Sequence, residues 1–265
     1  MADVGAPVAQ RSPRGMLFRL VMWTVATIMR VVPRSLRAGT AFRASRLLLP
    51  IVRRLPDMAE TARMHVEREE DTAFGMALRV MDRLEVGFDL RFHVKGEALL
   101  RDALRLETGT LLVGTHALTT QLIMRALCDE GIAFHLIAGA DRYHIAGTTR
   151  WIPTIQTNAQ MLVRARTALR QGEVVWALLD RGAPHPGRTT LVETRLGDVH
   201  VADALLRVAE ATGARTLIMM SRMRDDGTVS VRYSLPPSGP HAPASELLKD
   251  YATAIIEHNA TLAAR

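Results

Sequence analysis

Short runs of apolar and β-branched residues recur along the chain at 90–94, 111–113, 134–138, 174–179, 216–220 and 229–235. Between them lie stretches with helical spacing, at 119–128, 158–171, 202–212 and 244–264, and several end near a glycine: Gly131, Gly172 and Gly213. A parallel strand pair needs a long crossover, which a helix supplies, so strand and helix in alternation constrain the chain to one kind of solution. The expected fold class is α/β, a mostly parallel central sheet flanked by helices. Ligands in such sheets collect at the carboxyl ends of the strands. A further helical segment at 57–85 sets Phe74, Ala77, Leu78 and Met81 at helical spacing and carries a solvated run of Glu67, Glu69, Glu70 and Asp71. The Pro/Gly-rich stretch 236–243 reads as a linker into the last helix.

The net charge of +7 is unevenly placed. Residues 1–54 hold ten arginines and one acid, Asp3, which leaves the rest of the chain close to neutral. Two domains are expected: a basic amphipathic helical membrane-association segment at 1–56 and an α/β domain at 57–265. The uncharged stretch 20–29, bounded by Arg19 and Arg30, is shorter than the roughly 20 apolar residues a membrane span needs. Arginines resume directly after it, unlike a signal peptide. On a helical projection Arg19, Trp23 and Arg30 fall on one side and Leu17, Val21, Val25, Ile28 and Val32 on the other. Pro33 should end or kink this helix, and a second Arg-rich segment, 36–54, brings Leu47, Leu48, Leu49, Ile51 and Val52 that need burial. Such a pair can lie in the headgroup region, each arginine near an anionic surface adding roughly 1 kcal/mol. It can equally pack on the body as two ordinary helices.

Nucleic acid is not an expected partner, since no recognition motif is present and aromatic residues are 5% of the chain, leaving few stacking platforms. Cys128 is the only cysteine, which excludes an internal disulfide and a cysteine-based zinc site. His135, Asp141 and His144 match no closed zinc spacing, so no metal is expected.

The stretch from Leu111 to Leu122 reads LLVGTHALTTQL. An apolar strand ends at Gly114, His116 follows, and Thr119 or Thr120 can cap a helix that carries Gln121. The positive end of that helix disfavours imidazolium, which keeps a histidine there neutral and competent as a base. A base so placed could take the proton from an acceptor hydroxyl attacking a thioester carbonyl. On its own, a histidine after a strand is more often a packed or hydrogen-bonding residue.

The same stretch resembles the His-x-x-x-x-Asp/Glu block of the lysophospholipid acyltransferase superfamily, and is most similar to the bacterial lauroyl and myristoyl lipid A acyltransferase branch. Leu169 to Asp180, LRQGEVVWALLD, resembles that branch's second block. The helix from Ala204, the turn Thr212-Gly213-Ala214 and the strand to Met220 are similar to its third. The resemblance spans about residues 85–235, in the right order. It implies a peripheral protein on the cytoplasmic side of the cell inner membrane that moves a fatty acyl group to a lipid or glycolipid hydroxyl, with His116 as general base. The implied donor is acyl carrier protein or coenzyme A carrying the acyl group as co-substrate, with no further cofactor, and the implied partners are that donor and membrane lipids.

Three positions depart from the pattern. Gln121 stands where the family has an acid that orients the histidine, Arg181 follows Asp180 where a glutamine is common, and a short basic segment replaces the long transmembrane anchor. Gln121 leaves two alternatives: a dyad with an amide orienter, or a noncatalytic pseudoenzyme that binds lipid or acyl carrier protein. Asp129, Glu130, Asp141 and Asp180 are candidate replacement carboxylates. Arg142 and Arg150 can grip a phosphate of the substrates. Asp180 either shapes the acceptor site or caps a turn, and 180–187 has the Gly/Pro density of a loop over a site.

Overall fold

The computed structural model describes residues 20, 23–25, 27–52, 74, 77, 81, 86–105, 107–115, 118–140, 142–144, 151–180, 189–194, 197–224 and 226–263. The chain divides into two compact units, one formed by 1–63, 67–91 and 223–228, the other by 64–66, 92–222 and 229–265.

In the first unit helix α1 (Arg34–Val52) buries Ala38, Ala41, Phe42 and Ser45, which recur at three- and four-residue spacing and so form one stripe. Ser45 satisfies its hydroxyl on the Ala41 carbonyl at 2.8 Å. Phe74, Ala77 and Met81 are helical and buried, and Phe74 meets Phe42 edge-on with ring centroids 5.4 Å apart. The side chains of Leu48, Leu49, Ile51 and Val52 lie outside the described residues, as does the acidic run 67–71; Leu47 is 82% exposed. No described helix is long and apolar enough to cross a membrane.

The second unit is built on an eight-stranded sheet in the order β1-β10-β9-β2-β6-β3-β5-β4. In chain order its elements are β1 (Phe92–Lys95), α2 (Glu97–Leu104), β2 (Thr110–Gly114), α3 (Leu118–Asp129), β3 (His135–Ala138), β4 (Arg142–His144), β5 (Trp151–Gln156), α4 (Met161–Arg170) and β6 (Val174–Leu178). The hairpin β7 (Thr190–Thr194) and β8 (Gly197–Val201) follows, then α5 (Ala204–Thr212), β9 (Arg215–Met223), β10 (Val229–Ser234) and α6 (Ala244–Ala263). β9, β2, β6, β3 and β5 run parallel, β4 is antiparallel to β5, and β1 pairs parallel with β10. This is the expected α/β class with a large, mostly parallel sheet flanked by helices.

Strand β2 lies between β9 and β6 and is buried at all five positions, the environment that a run of Thr, Leu, Leu, Val and Gly without a charge can tolerate. Successive side chains alternate faces. Leu111, Val113, Val175, Ala177 and Ile218 enter a core closed by Ala165 and Leu169 of α4, Leu205, Leu206 and Ala209 of α5, and Leu248, Tyr251, Ala252 and Ile255 of α6. Trp176 is on the other face of β6, fully buried, with Phe134 edge-on at 5.2 Å.

Stretch 236–243 is docked rather than loose. The Pro240 carbonyl accepts from Thr216 N–H at 2.8 Å, and the Glu210 carboxylate accepts from Ala244 N–H at 3.1 Å, which satisfies one of the open donors at the start of α6.

Candidate functional site

The carboxyl end of β2 is where the second unit gathers buried polar groups. Gly114, the last strand residue, leaves no room for a side chain without movement, because a Cβ would sit 2.9 Å from Met219 Cε and 3.3 Å from Trp176 Nε1. Its carbonyl accepts from the Tyr251 hydroxyl at 2.5 Å and from Leu179 N–H at 3.3 Å. Tyr251 comes from α6 and is fully buried. Burial first, and then the charge of Asp180, push its phenol well above the usual tyrosine range, while the backbone N–H groups of Leu179 and Asp180 face the same oxygen and oppose that shift. Tyr251 is therefore a neutral donor that ties α6 to the end of the central strand.

Tyr251→Phe should cost about 1–2 kcal/mol at neutral pH by removing that bond inside the core. Because the folded pKa is raised, the tyrosine's contribution is complete below about 10 and declines as the pH rises past that value, where the unfolded phenol ionises and the folded one does not. Urea unfolding at about pH 8 and about pH 11 should show a smaller alkaline loss in the variant than in the wild type. Equal losses would mean that this phenol does not titrate between the two states.

Asp180 follows β6 and is 2% exposed. It forms an antiparallel bridge with Val201 of β8, and Ala202 N–H donates to the Leu179 carbonyl at 3.0 Å, so the hairpin holds the end of β6 in place. On the β9 side, the Ser221 and Thr119 hydroxyls meet at 2.8 Å in a buried pair. Thr120 donates to the Thr115 carbonyl at 2.9 Å. Both threonines lie inside α3, which begins at Leu118. Their hydroxyls join the helix start to β9 and to the chain leaving β2.

His258 of α6 reaches the Ser221 carbonyl at 3.1 Å through Nε2. A carbonyl only accepts, so that nitrogen carries the proton. Tyr251 and His258 are seven residues apart, two turns on one face of α6.

No family model and no curated protein matches the sequence.

The residues singled out from sequence are distributed unevenly around this site. Asp180 is at it. Gln121 lies in α3, in the turn after Thr119 and Thr120, with its side chain outside the described residues; His116, Asp141 and Arg150 are wholly outside them. Arg142 is exposed on edge strand β4, opposite Pro153. Three strands separate β4 from β2, roughly 19 Å at the usual spacing, so the sheet does not bring Arg142 to the end of β2. Asp129 is exposed at the end of α3, 3.8 Å from Arg125, and Glu130 is exposed beside it. His135 Nε2 lies 3.0 Å from the Glu173 carboxylate.

Ser221, Tyr251 and His258 were not legible as site residues. Tyr251 and Gly114 are 137 positions apart, and no local pattern links them. The one available signal was a tyrosine and a histidine two turns apart on an otherwise amphipathic last helix.

Proposed function

We propose that the protein is an acyltransferase acting at a membrane surface. A fatty acyl group leaves the thioester of acyl carrier protein or coenzyme A for a hydroxyl of a lipid or glycolipid. His116 takes the hydroxyl proton as the oxygen attacks the thioester carbonyl, the C–S bond breaks, and the imidazolium returns the proton to the departing thiolate. The observation that carries this reading is the setting of Asp180: a carboxylate 2% exposed at the end of the strand beside β2.

The sheet register supports it. Gly114 pairs with Leu178 and Val113 with Ile218. His116 stands two residues past Gly114 and three past Val113, as Asp180 stands two past Leu178 and Ser221 three past Ile218. The three strands run parallel, so Asp180, past the end of β6, and Ser221, on β9, flank the carboxyl end of β2, the strand that His116 follows in sequence. Asp180 is then the carboxylate that Gln121 does not supply, and among Asp129, Glu130 and Asp180 it is the buried one. Asp180→Asn tests this directly. Acyl transfer from radiolabelled acyl carrier protein into a total lipid extract should fall by two or more orders of magnitude, about the scale of losing an orienting carboxylate. Unchanged transfer would remove Asp180 from the mechanism.

The second reading, a noncatalytic protein that binds lipid or acyl carrier protein, draws on Gln121 alone. Wild type that binds acyl carrier protein but transfers nothing would favour it.

Membrane association rests on the first unit. Leu20, Trp23, Ile28 and Val31 are 60%, 52%, 53% and 84% exposed, in a stretch of chain with ten arginines and one acid. Exposed apolar side chains among cations suit the headgroup boundary. The intact protein should sediment with anionic liposomes, less so as salt rises, and changing these four residues together to Ser should abolish sedimentation. Failure of the wild type to bind at low salt would sink the assignment.

A further inference from the structure

The first unit holds a cleft. Ser35, Leu36, Gly39, Thr40 and Arg43 of α1 line one side of a cleft of about 200 Å³, and Asp89, Arg91 and the turn residues Asp226, Gly227 and Thr228 line the rest. The cleft exists because two glycines let a turn approach a helix closely. Gly227 has φ +80°, and a Cβ on it would lie 2.5 Å from Gly39 Cα, while a Cβ on Gly39 would reach the Asp226 carbonyl at 3.4 Å.

Among the described residues the charges that line it are not balanced. Asp89 is engaged by Arg34, whose Nε lies 2.9 Å away. Asp226 accepts from Thr228 N–H at 3.0 Å and from the Thr228 hydroxyl, bonds that hold its carboxyl below the usual range. Both acids are thus occupied. Arg43 of α1 and Arg91, which both line it, have no hydrogen-bond or ion-pair partner among the described residues. Thr40 gives its proton to the Leu36 carbonyl at 2.9 Å, and the Ser35 hydroxyl stands in the first turn of the same helix.

We propose that this cleft is a binding site for a phosphate dianion, inorganic or as a phosphomonoester, held between the Arg43 and Arg91 guanidiniums. Two cations from separate segments lining one cleft match one doubly charged tetrahedral anion, and a guanidinium presents paired donors to phosphate oxygens. The volume is below the roughly 300–1,000 Å³ of sites for drug-sized ligands, which suits a phosphate with a small substituent better than an acyl chain or a nucleotide. Nothing in this site depends on acyl transfer, so either can fail alone.

The test is calorimetric titration of the full chain with inorganic phosphate and with glycerol phosphate, for wild type, Arg43→Ala/Arg91→Ala, and Arg101→Ala as a control outside the cleft. Saturable binding that is at least about tenfold weaker in the double variant and unchanged in the control is expected. Should the alanine pair fail to fold, Arg43→Lys/Arg91→Lys decides: weakened binding supports the site, because lysine keeps the charge but not the paired donors, and unchanged binding overturns it. Flotation with phosphatidylcholine vesicles containing either phosphatidate or a matched charge of phosphatidylserine separates the sources. A phosphatidate preference that is lost with the arginine pair identifies a lipid headgroup, whereas phosphate binding without that preference identifies a soluble ligand. Neither phosphate binding nor a phosphatidate preference in the wild type, or the same affinity in the double variant, would overturn the proposal.

Discussion

His116→Ala is expected to abolish acyl transfer, by about 10²–10⁴ in kcat if the imidazole serves only as general base. Gln121→Glu is expected to act in the opposite direction or not at all, and the outcome separates two arrangements. In a hydrolase triad, exchanging the orienting carboxylate for an amide costs about 10⁴ in kcat, near 5.4 kcal/mol of transition-state stabilisation. If Asp180 already orients His116, that loss has not been incurred, and a second acid at 121 adds like charge and changes kcat little. If the site lacks any orienting acid, the glutamate recovers a large part of the deficit. Transfer is measured from acyl carrier protein and coenzyme A thioesters in parallel, so that donor choice is not mistaken for inactivity. Full activity in His116→Ala would end the proposal.

Gly109→Ala should produce the largest change in stability. Gly109 leads into β2; its N–H donates to the Leu169 carbonyl at 3.0 Å and its carbonyl accepts from Arg215 N–H at 2.9 Å. A Cβ there would fall 2.2 Å from the Leu169 oxygen, 2.6 Å from its Cα and 2.7 Å from its carbonyl carbon. All three are backbone atoms, so no flexible side chain can swing aside, and the end of α4 must separate from the start of the central strand. The expected loss is about 3 kcal/mol or more, a fall in Tm of roughly 6–12 °C for a domain of this size. A thermal melt that moves by less than about 1 °C would mean that the approach at Gly109 is looser than these distances imply.

Six strands could be read from sequence. Runs 111–113, 174–179 and 216–220 correspond to β2, β6 and β9, which are buried over nearly their whole length and so must be apolar on both faces, while runs 90–94, 134–138 and 229–235 correspond to the less buried β1, β3 and β10, whose β-branched and aromatic residues marked them. β5 escaped notice because Pro153 lies within it, although it runs between β3 and β4. Proline cannot donate to a ladder and argues against an interior strand. β4 is three residues long, and β7 and β8 form a two-stranded hairpin outside the main sheet, joined to the chain after β6 by the single Asp180–Val201 bridge, so neither needs a continuous apolar run. Helix α2 is eight residues, two turns, too short for its spacing to stand out.

Local patterning is enough for the α/β class, the buried central strand and the histidine two residues beyond it, since hydrophobic periodicity and glycine stops are local properties of the chain. Which polar groups surround the end of that strand depends on how distant segments pack. Tyr251 reaches Gly114 because α6 packs across the sheet, Thr119 meets Ser221 because β9 lies beside β2, and Asp180 is buried because the β7–β8 hairpin closes over the end of β6. Each of these contacts joins segments far apart in sequence, and strand order and helix docking, which create them, follow from the global burial of apolar surface and not from any local pattern.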